Sequence, residues 1–194
     1  MSGKGGEPPE PLIPPHGGYE KLKSYQVTAI VFDATTAFCR RFFHERSRTR
    51  EQMEQAARSG KRNIAEGSMA SGTSRKSELK LTGVARASLE ELRGDYEDFL
   101  HDRGLPLWGK DHPQAQAIRA LGRGQDRAYR TYRTYRAYVE EGTPEVAANT
   151  MLCLVHQASY LLDQQLRGLE KRFVAEGGFT ERLYRVRRGA REGQ

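Results

Sequence analysis

SRKSELKLTGVARASLEELRGDYEDFLHD, residues 74–102, decides the fold. Leu81, Val84, Ala85, Ser88, Leu92, Tyr96 and Phe99 recur in steps of three and four, the spacing that stacks side chains on one helical face. A helix of this length, at about 1.5 Å per residue, is a rod of roughly 45 Å. Hydrophobic residues make up 37% of the 194-residue chain and charged ones 29%, so each element has apolar side chains for one stripe only. That balance suits long amphipathic helices packed side by side.

Working back from this rod, Ser71, Gly72, Thr73 and Ser74 form a turn, and a second helix precedes it. Thr49 and Gln52 have capping-box spacing, which starts that helix near Arg50 and runs it over about 50–70. Its inward positions Met53, Ala56, Ala57, Gly60 and Ile64 are mostly small, so a central element with closely approaching neighbours is expected. Val27, Ile30, Val31, Ala34, Phe38 and Phe42 mark another helix over about 20–44. Residues 1–18 hold five prolines and five glycines and read as a flexible leader.

Working forward, RGLPLWGKDH (103–112) breaks the pattern, and Pro113 suits the start of a short helix to Leu121. From Gln125 to Glu141 the chain repeats RAY RTY RTY RAY, read as helical until Gly142 stops it. Thr143, Pro144 and Glu145 then supply an N-cap, a first-turn proline and a first-turn acid. Met151, Leu154, Ala158, Leu161, Leu162, Leu169 and Phe173 carry this last long helix over about 145–176, and Gly177 and Gly178 resemble its C-cap. Residues 177–194 form a basic tail. No segment alternates like a strand, so the expected fold is all-α: an antiparallel up-and-down four-helix bundle over 19–176, with an inserted helical segment at 103–142.

Lys and Arg number 32 against 25 Asp and Glu, a net charge of +7, which favours polyanionic partners and also aids solubility. Cys39 and Cys153 fall within apolar helical patterns and read as buried free thiols of a reducing compartment. The N-terminus lacks the apolar core of a signal peptide, and no run reaches the roughly 18 apolar residues of a membrane span, so a cytoplasmic protein without a membrane partner is expected.

NIAEG at 63–67, the polar turn SRKSE at 74–78 and the long helix with ASLEELRGDYE come in an order that resembles a known family. It is the four-helix-bundle family first noticed as proteins encoded in intervening sequences of bacterial ribosomal RNA genes. The similarity runs from about Tyr19, where YEKLKSYQ looks like the opening helix, to about Leu100. NTMLCLVHQASYLLDQQLRGLEKRF and GGFTERLYRVRR, within 149–188, look like the suffix domain that follows the bundle in one branch. The resemblance implies a small bundle assembling into rings, typically pentamers. One branch is the accessory variability determinant of diversity-generating retroelements, which binds nucleic acid and the element's reverse transcriptase.

Asn63 and Glu66 lie three apart and point the same way on a helix, able to bond a neighbouring helix or subunit. With Gly67 they read as a structural motif, a polar packing lock, since no His or second carboxylate has an assignable place beside them. Arg119, Arg123, Arg127, Arg130, Arg133 and Arg136 face a single acid, Asp126, and interleave with Tyr129, Tyr132, Tyr135 and Tyr138. Guanidinium groups pair with phosphates and aromatic rings stack on bases, a mixture suited to RNA or single-stranded DNA. A three-residue period on an α-helix drifts by about 60° per repeat. The arginines would therefore spiral, with tyrosines packing on the bundle and arginines forming salt bridges as the competing use.

Arg58, Lys61 and Arg62 in the second helix, and Arg182, Arg185, Arg187 and Arg188 in the tail, are further candidate phosphate contacts. Glu90, Glu91, Asp95, Asp98 and Asp102 give the third helix an acidic side that could receive a basic surface. His16, His44, His101, His112 and His156 show no zinc spacing, and there is no phosphate-cradling glycine loop or nucleophile elbow. The expectation is thus a protein that is not an enzyme and uses no metal or cofactor. It is a homo-oligomer, pentameric by resemblance, serving as a nucleic-acid-binding accessory or scaffold, with a retroelement reverse transcriptase as a partner the resemblance implies. The alternative is a structural or protein-interaction ring that binds no nucleic acid.

Overall fold

The computed structural model describes residues 11–122 and 131–192, and the fold is all-α: helices with no strand among those residues. The α-helices are α1 (Lys23–Phe42), α2 (Arg48–Ala70), α3 (Arg75–His101), α4 (Pro113–Leu121), α5 (Pro144–Glu176) and α6 (Phe179–Glu192). Their starts follow from capping chemistry. The Ser74 hydroxyl accepts from the Ser77 N–H at 3.1 Å, and Thr143 accepts from Val146 N–H at 3.2 Å with Pro144 in the first turn. For α2 the cap is Ser47, which accepts from Arg50 N–H at 3.4 Å, rather than the expected Thr49. Ser47 sits at the end of a turn closed by its N–H on His44 O, so the chain first becomes helical two residues earlier than the capping box suggests.

Each of α1, α2, α3 and α5 packs against two of the others. Cross-links align them: the Ser24 hydroxyl donates to Gln165 Oε1 at 2.6 Å, Arg86 Nε to Asp163 Oδ1 at 3.0 Å, and Arg75 Nη1 to Arg172 O at 3.1 Å. The start of α1 and the start of α3 therefore both lie beside the end of α5. Val31, Phe38, Met53, Ile64, Leu92, Tyr96, Met151 and Leu162 fill the middle, each sealed from solvent.

The small face of α2 behaves as its composition requires. A Cβ on Gly60 would lie 3.2 Å from Leu89 Cδ2 and 3.5 Å from Thr28 Cγ2, and one on Gly67 3.3 Å from the Glu78 carbonyl. In α3 the buried stripe takes in Thr82 and leaves Val84 39% exposed. The two are about 200° apart around the helix at 3.6 residues per turn, so the stripe that meets α2 and α5 excludes one of them.

Three stretches differ from expectation. The end of the leader is fastened: Gly17 N–H donates to Ser68 O at 3.0 Å, and the Ser68 hydroxyl donates back to Gly17 O at 3.0 Å. Gly17 and Gly18, at φ +78° and +72°, then turn the chain into a 3₁₀ turn at Tyr19–Lys21. Residues 1–10 lie outside the described part. The basic tail folds as α6 after Gly177 ends α5 at φ +72°, because Phe179, Leu183 and Val186 share a half-buried face.

The tyrosine repeat is not α-helical over its described portion. It forms a 3₁₀ turn at Tyr132–Thr134 and a π turn at Ala137–Glu141, closed by Gly142 N–H on Ala137 O at 3.0 Å. Burial of Tyr135 and Val139 in the core dictates this geometry, and Arg41 Nη1 fixes it by donating to Val139 O at 2.9 Å.

On the acidic side of α3, Glu90 is answered from within the helix. Arg93 reaches Glu90 and Glu97, while Arg86 reaches Glu90 and Asp163 of α5. Asp95 stands apart by its burial: it is half-buried, its Oδ2 has no hydrogen-bond partner among the described residues, and burial followed by Glu91 and Asp98 pushes its carboxyl up to about 6. Since the unfolded chain gives up this proton at lower pH than the folded one, stability falls as pH rises from about 4 to about 6 and then levels. Asp95→Asn is expected to remove that fall. Urea midpoints measured at pH 4 and pH 7 should show the variant gaining on the parent at pH 7, and parallel pH profiles would contradict the assignment.

Candidate nucleic-acid interface

The three basic clusters occupy different parts of the molecule. On α2, Arg58 and Arg62 are exposed, whereas Lys61 is half-buried with its ammonium 4.9 Å from the centroid of the Phe32 ring. Lys61 is thereby held against α1 by a cation–π contact and its stem is part of the packing.

In the tyrosine segment, Arg127, Tyr129 and Arg130 lie outside the described residues, as does Arg123. Tyr135 is 1% exposed and belongs to the core, so it cannot stack on a base. The Tyr132 hydroxyl donates to Glu140 Oε1 at 2.8 Å, and Arg136 Nε meets Glu140 Oε2 at 2.8 Å. Burial and the Glu140 hydrogen bond hold the Tyr132 phenol protonated far above its usual range. Glu140, an acid the sequence reading set no weight on, therefore ties two of the expected contacts to each other. Arg133 remains exposed, with no ion-pair partner among the described residues.

On α6 the apolar stripe Phe179, Leu183, Val186 and Ala190 follows the i, i+4, i+7, i+11 spacing of one face. Arg182 flanks it and is only 6% exposed, so this candidate is a packing residue rather than a phosphate contact. Arg185, Arg187, Arg188 and Arg191 spread over the exposed remainder. Glu181 is consumed at the start of the helix, its Oε2 accepting from Gly178 N–H at 2.8 Å, and Arg188 pairs with Glu192 at 2.7 Å. Arg185 Nη1 also donates to Glu176 O at 3.1 Å. An exposed i,i+4 pair contributes only about 0.3–0.5 kcal/mol, so Arg188 is readily released to a phosphate.

The 33 residues of α5 separate the tyrosine segment from α6, so these two clusters do not form one patch. The Asn63, Glu66 and Gly67 motif is local. Asn63 Nδ2 donates to Ser59 O at 2.9 Å and Ser59 Oγ at 3.1 Å on its own helix, and Ser59 meets Ser88 of α3 at 2.9 Å. Asn63 thus supports the α2–α3 contact through Ser59 instead of reaching a neighbouring helix directly. Glu66 is exposed, and Gly67 lets α3 approach.

Asn149 is a residue the sequence reading passed over. It is 2% exposed, accepts from Trp108 N–H at 2.8 Å and donates to Pro106 O at 2.9 Å and Glu145 O at 3.0 Å. Trp108 Nε1 in turn donates to Glu145 Oε1 at 2.7 Å, and its indole stacks on His112 with 4.5 Å between centroids. This clasp ties the loop before α4 to the first turns of α5, beside a cavity of about 760 Å³ between α1, α4 and α5. A polar residue inside the apolar stripe of α5, and a tryptophan in a Pro/Gly loop, were its signals.

Cys153 is a half-buried thiol on that cavity, and Cys39 is sealed in the core with its thiol pushed up to about 12 by burial and by Glu54. One thiol per chain is expected to react with a disulfide reagent in native protein and two in denaturant, the native rate being slow because burial also raises the Cys153 thiol. Cys153→Ser should abolish the native reaction, and its survival would contradict the assignment.

Among the described residues no group of three or more His, Cys, Asp or Glu side chains gathers to hold a metal, and no helix is long and apolar enough to cross a membrane. No protein-family model, curated protein or solved structure matches the chain.

Proposed function

We propose that this chain is a non-catalytic helical accessory protein that binds nucleic acid through its phosphates, with α6 as the principal contact. The observation that carries the reading is the exposure of Arg185, Arg187, Arg188 and Arg191 on a helix whose opposite face holds the half-buried Phe179, Leu183 and Val186. Arg58, Arg62 and Arg133 add exposed cations that no acid within ion-pair distance neutralises among the described residues. With Tyr135 buried and Tyr132 bonded to Glu140, guanidinium–phosphate pairing outweighs base stacking, so binding is tolerant of sequence and sensitive to salt. Assembly as a ring, pentameric by resemblance, would multiply these contacts, and a retroelement reverse transcriptase is the protein partner that the resemblance suggests.

Light-scattering mass, measured with and without a mixed RNA and single-stranded DNA pool at low and high salt, tests the reading. Uptake of nucleic acid at low salt, lost at high salt, is the expected result. An oligomer that ignores nucleic acid at every salt concentration would leave a protein-interaction ring, and a monomer would remove the assembly.

A further inference from the structure

The cavity between α1, α4 and α5 has walls and a rim of different chemistry. Val27 and Ile30 of α1, Ala115 of α4 and Leu152 of α5 line its interior together with Trp108 and Tyr135. Lys23, Lys110, Arg119 and His156 also line it, and among the described residues no aspartate or glutamate does. Lys23 and Lys110 are exposed and Arg119 is half-buried, its Nη2 donating to the Lys110 carbonyl. The Arg119 guanidinium thus lies at the edge of the cavity beside the loop that carries Trp108. A volume of about 760 Å³ falls within the roughly 300–1,000 Å³ range of small-molecule sites, which are mostly apolar with a few convergent polar groups.

We propose that this cavity is a binding site for an apolar carboxylate, with the hydrocarbon against Val27, Ile30, Leu152 and Trp108 and the carboxylate on Arg119 and Lys23. Cations with no acid beside them among the described lining residues select the anion, because a guanidinium pairs with a carboxylate through parallel charge-assisted hydrogen bonds. The apolar walls reject small hydrophilic anions, which would lose hydration without gaining burial. His156 is held below its usual pKa by burial and by Arg93, so near pH 7 it is a neutral hydrogen-bonding group at the mouth. The site is independent of α6 and does not rest on nucleic-acid binding.

Trp108 is the chain's single tryptophan and Cys153 lines the same cavity, so the full-length protein carries two built-in reporters. Dodecanoate below its micellar concentration is the probe, with dodecanol and dodecyltrimethylammonium as neutral and cationic controls. The expected result is a saturable change in Trp108 emission with dodecanoate, slower alkylation of Cys153 by iodoacetamide, and affinity at least tenfold above that for the cationic amphiphile. The pair K23E and R119E should reverse that preference, and K23E alone, at an exposed position, should weaken dodecanoate if the double variant fails to fold. Equal affinity for all three headgroups, a silent Trp108, or emission changes without protection of Cys153 would each overturn the site.

Discussion

Phe38→Ala is expected to lower the free energy of unfolding by about 4 kcal/mol, within the roughly 3–5 kcal/mol range for removing a buried phenyl ring. Phe38 is fully buried and has ring centroids 4.7 Å from Phe42, 4.9 Å from Tyr96 and 4.8 Å from Phe99, so it joins α1 to α3. Truncation removes the transferred apolar area, leaves a void that rigid neighbours only partly close, and breaks edge-to-face contacts worth about 0.5–1.5 kcal/mol each. Tyr96 cannot move in to fill the space without stretching the bond from its hydroxyl to Thr35 Oγ1, now 3.0 Å. A domain of this size has about 5–15 kcal/mol in total, so the variant should unfold at a markedly lower urea concentration with the slope unchanged. Phe43, half-buried and 5.8 Å from Phe99, is the comparison, and Phe43→Ala should cost less than half as much. A loss below about 1 kcal/mol for Phe38→Ala would mean that the aromatic cluster collapses freely, contrary to the packing of ordinary protein interiors.

The same cluster shows what a sequence discloses. Phe38, Tyr96 and Phe99 stand at helical spacing on two segments, and periodicity alone assigns them to inward faces. Gly60 and Gly67 are legible for a related reason: small residues on an inward face have few uses other than close approach. Local rules fail where two neighbours compete for one role. Ser47 and Thr49 are both good caps, and the turn at His44 chooses between them. They fail again where a repeat masks its surroundings. The Tyr-Arg period suggests a uniform spiral, yet Tyr135 and Val139 are drawn into a core built by other helices, and the backbone widens into a π turn to let them in.

Basic composition hid the stripe of Phe179, Leu183 and Val186 that makes the tail a helix, and with it the burial of Arg182. The cavity was out of reach for a different reason. Lys23, Trp108, Arg119 and Leu152 are far apart in the chain, and only the clasp of Asn149 on the loop before α4 brings them around one space.

Reversing charge on α6, with Arg185, Arg187 and Arg188 all changed to Glu, is expected to weaken binding to single-stranded nucleic acid by about 100-fold or more at low salt. Each phosphate contact on a single strand contributes about −0.7 to the slope of log affinity against log salt, so loss of three contacts should flatten that slope by roughly 2. The side chains are exposed, Arg188 pairs with Glu192 and Arg185 donates to Glu176 O, contacts that are exposed and individually weak, so helical content and the urea midpoint should stay near those of the parent. Arg133→Glu alone should weaken binding less than tenfold, because it removes one contact at the far end of α5. Fluorescence anisotropy of a labelled oligonucleotide at several salt concentrations measures both quantities. A triple variant that binds as the parent does, with the same salt slope, would remove α6 from the interface and shift the reading to the exposed Arg58 and Arg62 of α2. A variant that binds more weakly at every salt concentration with an unchanged slope would show that these arginines hold the oligomer together and never touch phosphate.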